Sequence, residues 1–155
     1  MVDDDLPSQD RHHRIALALE AIPDAVVGVG EGTLDRFPGL KICAAHGGGY
    51  LPSYASRSAN GCRVSPELGD STIVLKKTPT EYLRQLYFDP LVFTPEALRH
   101  LAAEVGSGQI VMGTDHPIPW QDKAVDHILG TPSLTDAERV AMLGETAARL
   151  LGITP

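Results

Sequence analysis

Apolar residues recur along the chain at two spacings. Ile15, Ala18, Leu19 and Ile22 fall at i, i+3, i+4 and i+7, one helical face, and Pro23 ends that run. "TPEALRHLAAEVG" predicts a second helix, with Thr94 as N-cap, Pro95 in the first turn and Gly106 as the stop. A third is expected in "QDKAVDHILG", ended by Gly130, and short ones in "TLDRFPGL", in "GGGYLPSYASRSANGC" and, capped by Thr78 or Thr80, in "PTEYLRQ". The last helix has a capping-box pattern from Thr135 to Glu138 and an expected apolar stripe of Val140, Leu143, Ala147, Leu150 and Leu151, closed by Gly152. Between the helices lie compact apolar runs: "LKICAA" (residues 40–45), "LYF" before Asp89, and "QIVMGT" (residues 109–114) before Asp115. Such runs suit strands buried on both faces. "DAVVGVGEG" is a further short candidate, weakened by its glycines.

Strand and helix therefore alternate about three times without a hairpin signal, which predicts an α/β architecture of parallel strands joined by crossover helices. Residues 1–10 are acidic and polar and are expected to be disordered, residues 63–77 read as an irregular excursion, and one domain is expected over 11–155.

Composition narrows the function classes. The 155 residues are 43% hydrophobic and 21% charged, ordinary for a globular domain, with a net charge of −7. That charge offers no basic surface for nucleic acid and no attraction to an anionic membrane. Cys43 and Cys62 form no CxxC and read as reduced thiols. With no signal-peptide pattern and no membrane-length apolar run, the expected location is the cytoplasm.

Each strong strand run is followed at once by a residue capable of chemistry: His46, Asp89 and Asp115. In parallel α/β folds the C-terminal strand ends share one face, where catalytic residues gather. His46 and Asp115 are thus expected to converge, the imidazole to carry a proton or bind a metal, the carboxylate to bind a divalent cation. The glycines after His46 are expected to bring backbone N–H donors close to a ligand. Asp89, followed by Pro90, reads as a cap or turn residue. His116 is placed to line the site, and Trp120, which ends the loop "HPIPW", to cap its pocket or to pack. His12, His13, His100 and His127 read as solvated or surface residues. A His-Gly-Gly-Gly turn also builds esterase oxyanion holes, but that chemistry needs a G-x-S-x-G nucleophile elbow, which the chain lacks.

The motifs "FPGLKICAAHGGGYLP", "LYFDPLVFTPEALRHLAAEVG", "QIVMGTDHPIPW" and "AARLLGI" occur in this order over about residues 31–153. In them the chain resembles the amidohydrolase-related family, in its aminocarboxymuconate-semialdehyde decarboxylase-like branch. The resemblance implies the C-terminal portion of a metal-dependent (β/α)8 TIM barrel and an enzyme, decarboxylase or hydrolase, acting on a small carboxylic acid. It implies one divalent metal, commonly zinc, with Asp115 as a ligand and His46 as the acid/base beside it. Arg57 matches an arginine that holds the substrate carboxylate. The family's other ligands, an H-x-H pair and a middle-strand histidine, have no counterpart here, and Glu145 stands where the family pattern "GNAA" is usual. One protein carboxylate does not make a catalytic metal site, which takes about three ligands. The expected state is therefore a truncated enzyme. The alternatives are an inactive fragment, or a half-barrel subunit completed by the missing N-terminal half or by homo-oligomerisation through an open sheet edge.

Overall fold

Three segments run parallel, side by side. Strand β1 (Cys43–Ala44) pairs with β2 (Tyr87–Phe88), Cys43 opposite Tyr87 and Ala44 opposite Phe88. The Tyr87 N–H donates to the Ile42 carbonyl at 2.8 Å, and the Asp89 N–H to the Ala44 carbonyl at 3.4 Å. On the other side of β2, Phe88 bridges Ile110, and the Val111 N–H donates to the Phe88 carbonyl at 2.8 Å. The computed structural model describes residues 32–64, 75–118 and 123–153. The expected disorder at 1–10, the helix from Arg11, the strand in "DAVVGVGEG", residues 65–74 and Trp120 lie outside them.

Helices make the crossovers, as the alternation predicts. α1 (Thr33–Arg36) precedes β1; α2 (Leu51–Val64) and α3 (Pro79–Leu83) lie between β1 and β2; α4 (Pro95–Val105) returns the chain to Ile110. α5 (Ala124–Gly130) and a C-terminal helix follow. α2 is longer than the short helix expected in that stretch. α4 starts where its sequence places it: the Thr94 hydroxyl accepts from the Ala97 N–H at 3.2 Å, Pro95 leads, and Gly106 (φ 90°) ends it. Leu98, Leu101 and Val105 form its buried face, at i, i+3 and i+7. They pack with Phe88, Ile110, Leu86, Ile128 and Met142 into one core. Each such side chain contributes about 1.5–3 kcal/mol by burial.

Tyr82 of α3 is fully buried and ties α1 to this core. Its hydroxyl donates to the Asp35 carboxylate and accepts from the Lys76 and Lys77 N–H groups at 3.0 and 3.2 Å. The Tyr82 hydroxyl holds the Asp35 carboxyl below its usual range, whereas burial, and then Asp35 itself, push the Tyr82 hydroxyl up.

Three expectations are corrected here. The run 109–114 is not a regular strand: Gln109 ends a 3-10 turn (Ser107–Gln109), only Ile110 bridges to Phe88, and residues 111–113 are half-buried. The run 40–45 is not a strand buried on both faces: Cys43 and Ala44 alone are strand, and Leu40, Lys41, Cys43 and Ala45 are exposed. No described element covers that side of the strand. The C-terminal stripe is also displaced. The Thr135–Glu138 capping box forms as expected, with the Glu138 N–H on the Thr135 hydroxyl at 3.2 Å and the Thr135 N–H on the Glu138 carboxylate at 2.7 Å. Yet the helix is not one α-helix. α6 (Asp136–Val140) runs through a π turn (Ala141–Glu145) into α7 (Thr146–Leu151). The extra residue of the turn rotates the faces, so Met142 and Thr146 are fully buried while Val140 and Leu151 are 50% and 70% exposed. The turn also frees a carbonyl. The Thr146 N–H donates to Ala141 rather than Met142, and the Met142 oxygen instead accepts from the Met112 N–H at 3.0 Å, docking the helix on the third parallel segment. Among the described residues no helix is long and apolar enough to cross a membrane.

Candidate active site

The chain leaves β1 through Ala45 in an extended conformation (ψ 156°) and then turns through four consecutive positive φ values: His46 56°, Gly47 62°, Gly48 74° and Gly49 59°. Sterics and backbone both require the glycines. A Cβ on Gly47 would lie 2.4 Å from Val92 Cγ1, and one on Gly48 2.7 Å from Phe88 Cε1. His46 takes the same left-handed conformation although it carries a side chain, an arrangement that stores strain.

The expected free N–H donors are absent from this turn. The Gly48 N–H donates to the Ala45 carbonyl at 2.9 Å and the Gly49 N–H to the His46 carbonyl at 3.1 Å. The His46 and Gly47 N–H groups donate to the Asp89 carboxylate, at 2.8 Å to Oδ2 and 3.0 Å to Oδ1. The concave backbone is thus already filled by an anion of the chain itself, which leaves no oxyanion hole. Asp89 is therefore more than the cap or turn residue expected. It does make the local turn, accepting from the Leu91 N–H at 3.0 Å, but it also spans two strand ends.

Asp115 follows the third parallel segment, also at positive φ (59°). The Asp115 and His46 side chains meet, with Nε2 3.6 Å from Oδ2 and side-chain exposures of 64% for His46 and 36% for Asp115. The sequence expectation that these two residues converge is met in the geometry. Phe93, in the loop after β2, also stands at positive φ (59°) and is 55% exposed. Of the four described non-glycine residues at positive φ, His46, Phe93 and Asp115 follow the ends of the parallel segments, the face where α/β proteins place their sites, and Ser133 (φ 68°) lies between α5 and α6. Nothing in the sequence of the Phe93 loop marks that conformation.

The other expected site residues are placed less centrally. His116 is exposed beside Asp115, its N–H on the Thr114 hydroxyl at 3.3 Å. Arg57 is exposed on α2, and among the described residues no hydrogen bond or ion pair joins it to the His46–Asp115 pair. Trp120 lies outside the described residues. Cys43 is an exposed free thiol whose pKa is pushed up by partial desolvation and then by the Asp89 charge, which disfavours the thiolate. His100 is exposed as expected and meets the Ser53 hydroxyl at 3.0 Å. His127 is not the surface residue expected: its Nε2 is buried with no hydrogen-bond partner among the described residues, and burial holds its pKa below the usual value.

One carboxylate and one imidazole are what the pair offers a metal. Among the described residues no three His, Cys, Asp or Glu side chains come together. Catalytic zinc takes about three protein ligands, so these residues do not by themselves fit a complete metal centre.

Parallel strands with crossover helices, and a His–Asp pair meeting beyond the strand ends, are the architecture of part of a (β/α) barrel. The chain belongs to the amidohydrolase family, whose pattern matches residues 21–153. It is 31% identical over 125 residues to the 2-amino-3-carboxymuconate-6-semialdehyde decarboxylase of Dictyostelium discoideum, covering 80% of this chain and 34% of that protein. The Caenorhabditis elegans protein of the same name is 36% identical over 118 residues, 76% of this chain and 29% of that one. The chain therefore spans about a third of the length of these relatives. Among solved structures, the dihydroxybenzoic acid decarboxylase of Polaromonas sp. JS666, with bound manganese and the inhibitor 2-nitroresorcinol, superimposes with a TM-score of 0.73 at 23% identity. That match covers 96% of this chain and 47% of that one, and the shared fold is the C-terminal portion of a TIM barrel.

Proposed function

We propose that this chain carries the acid–base part of a decarboxylase acting on a small, unsaturated or aromatic carboxylic acid. The observation behind this reading is the His46–Asp115 pair, 3.6 Å apart beyond the ends of two parallel segments. Decarboxylation needs little more from such a pair than a proton delivered to carbon. The His46 imidazolium gives its proton to the carboxylate-bearing carbon; the C–C bond then breaks, its electron pair stays with the ring, and CO2 leaves. His46 regains a proton from water. Asp115, with Oδ2 3.6 Å from His46 Nε2, orients the imidazole. The relatives named decarboxylases favour this over hydrolysis.

A divalent cation bound by Asp115, together with ligands this chain does not contain, would orient the substrate carboxylate. Arg57 would make a bidentate contact to that carboxylate, and His116 and Trp120 would border the pocket. The further ligands would come from other parts of a barrel or from an associated subunit.

The test is CO2 release from a panel of ortho-hydroxy and ortho-amino aromatic acids in D2O, with Mn2+ or Zn2+ supplied. The chain is assayed alone and with an N-terminal half-barrel from a relative. Deuterium at the vacated carbon is expected, with turnover reduced about 10²–10⁴-fold in His46→Asn. Release unaffected by His46→Asn, or no release in either format, would overturn the proposal.

A further inference from the structure

We infer that Asp89 is a positioning residue that aims His46 at Asp115; this rests on the reading of His46 as the proton carrier. Asp89 stands at the C-terminal end of β2, between the other two segment ends. One carboxylate oxygen accepts from the His46 N–H at 2.8 Å, and the other accepts from the Gly47 N–H at 3.0 Å and the Leu91 N–H at 3.0 Å. On its other side it packs against the third segment: a Cβ on Gly113, two residues before Asp115, would lie 3.5 Å from Asp89 Cβ.

The backbone explains why such a clamp is needed. His46 is held at φ 56°, a left-handed conformation that an L-residue rarely adopts and that a free turn would relax. Relaxation of that single φ would swing the imidazole off the Asp115 side. Charge-assisted hydrogen bonds from these N–H groups to the carboxylate offset that strain. The same bonds use the two N–H donors that the glycine turn would otherwise offer to a ligand. The turn therefore serves to hold the histidine, and Asp89 is the group it holds on to. Asparagine cannot substitute. It has one acceptor oxygen for three donors that need both sides of a carboxylate, and its NH2 would face an N–H.

The test uses the full chain, isotopically labelled, and reads geometry directly. In the wild type, cross-relaxation is expected between the His46 ring protons and the Asp115 methylene, with slow exchange of the His46 and Gly47 amides. In Asp89→Asn the cross-relaxation is lost and those amides exchange about tenfold faster or more. Val105→Ala, which weakens the core away from the turn, keeps the cross-relaxation even though it lowers stability. Retention of the His46–Asp115 contact in Asp89→Asn, or its equal loss in Val105→Ala, overturns the inference. In the decarboxylation assay Asp89→Asn is expected to lower kcat about 10²-fold with KM little changed. If His46→Asn leaves turnover intact, the functional reading fails, while the magnetic-resonance result still decides the role of Asp89.

Discussion

Replacing Gly47 with alanine probes the turn that carries His46. At φ 62° an alanine pays about 1–2 kcal/mol for left-handed backbone. Its Cβ would also lie 2.4 Å from Val92 Cγ1 and 3.5 Å from Leu101 Cδ2. Val92 is β-branched and partly buried in the core, so it cannot simply rotate away. Overpacking of this kind adds about 1–3 kcal/mol. The loss is therefore about 2–5 kcal/mol, a large share of the roughly 5–15 kcal/mol that holds a typical domain together. Gly144→Ala is the matched control. It lies in the π turn, an added Cβ there would meet no described side chain or neighbouring element within 4 Å, and it should gain about 0.5–1 kcal/mol from reduced unfolded-state entropy. Urea unfolding followed by circular dichroism separates the two. At a slope of about 1–3 kcal/mol per molar, a loss of about 3 kcal/mol moves the midpoint down by about 1–3 M. A Gly47→Ala unfolding free energy within about 0.5 kcal/mol of wild type, or equal damage from Gly144→Ala, would refute the steric account.

Two further outcomes are expected. Burial holds the folded His127 below its ordinary value of 6.5, so the unfolded chain takes up the proton more readily. Its contribution is fully present above pH 6.5 and falls as the pH drops toward the folded value; urea melts at pH 8 and pH 5 should show a smaller loss in His127→Leu than in wild type. The Thr146 hydroxyl is buried with no hydrogen-bond partner among the described residues, so Thr146→Val, nearly the same shape, should raise stability by about 1 kcal/mol in the same assay. Destabilisation would mean that the hydroxyl is in fact paired.

What was readable from the chain follows the range of the forces involved. Thr94 and Thr135 cap their helices because a hydroxyl and an N–H three residues on meet whatever else the chain does. His46 and Asp115 were readable as a pair because parallel strands bring their C-terminal ends to one face. Asp89 was not, because two of its three donors are 42 and 43 residues away and a carboxylate before proline looks locally sufficient. The buried face of the last helix was misplaced because a 3.6-residue period carries no sign of a π turn, which is fixed by the Met112 N–H reaching the Met142 carbonyl. His127 reads as polar, and only the packing of α5 shows that its ring nitrogen is shut away from water.

The sequence by itself determined the alternation of elements, their caps, the glycine turn after His46 and the residue types available for proton transfer. All of these depend on neighbours a few residues apart, or on a topology that the alternation alone selects. The tertiary structure decided how the strained turn is held, where the C-terminal helix seats, and that the N–H groups of His46 and Gly47 serve Asp89 instead of a ligand. Those outcomes rest on contacts between segments distant in sequence, whose geometry is set when the parallel segments pack and not before.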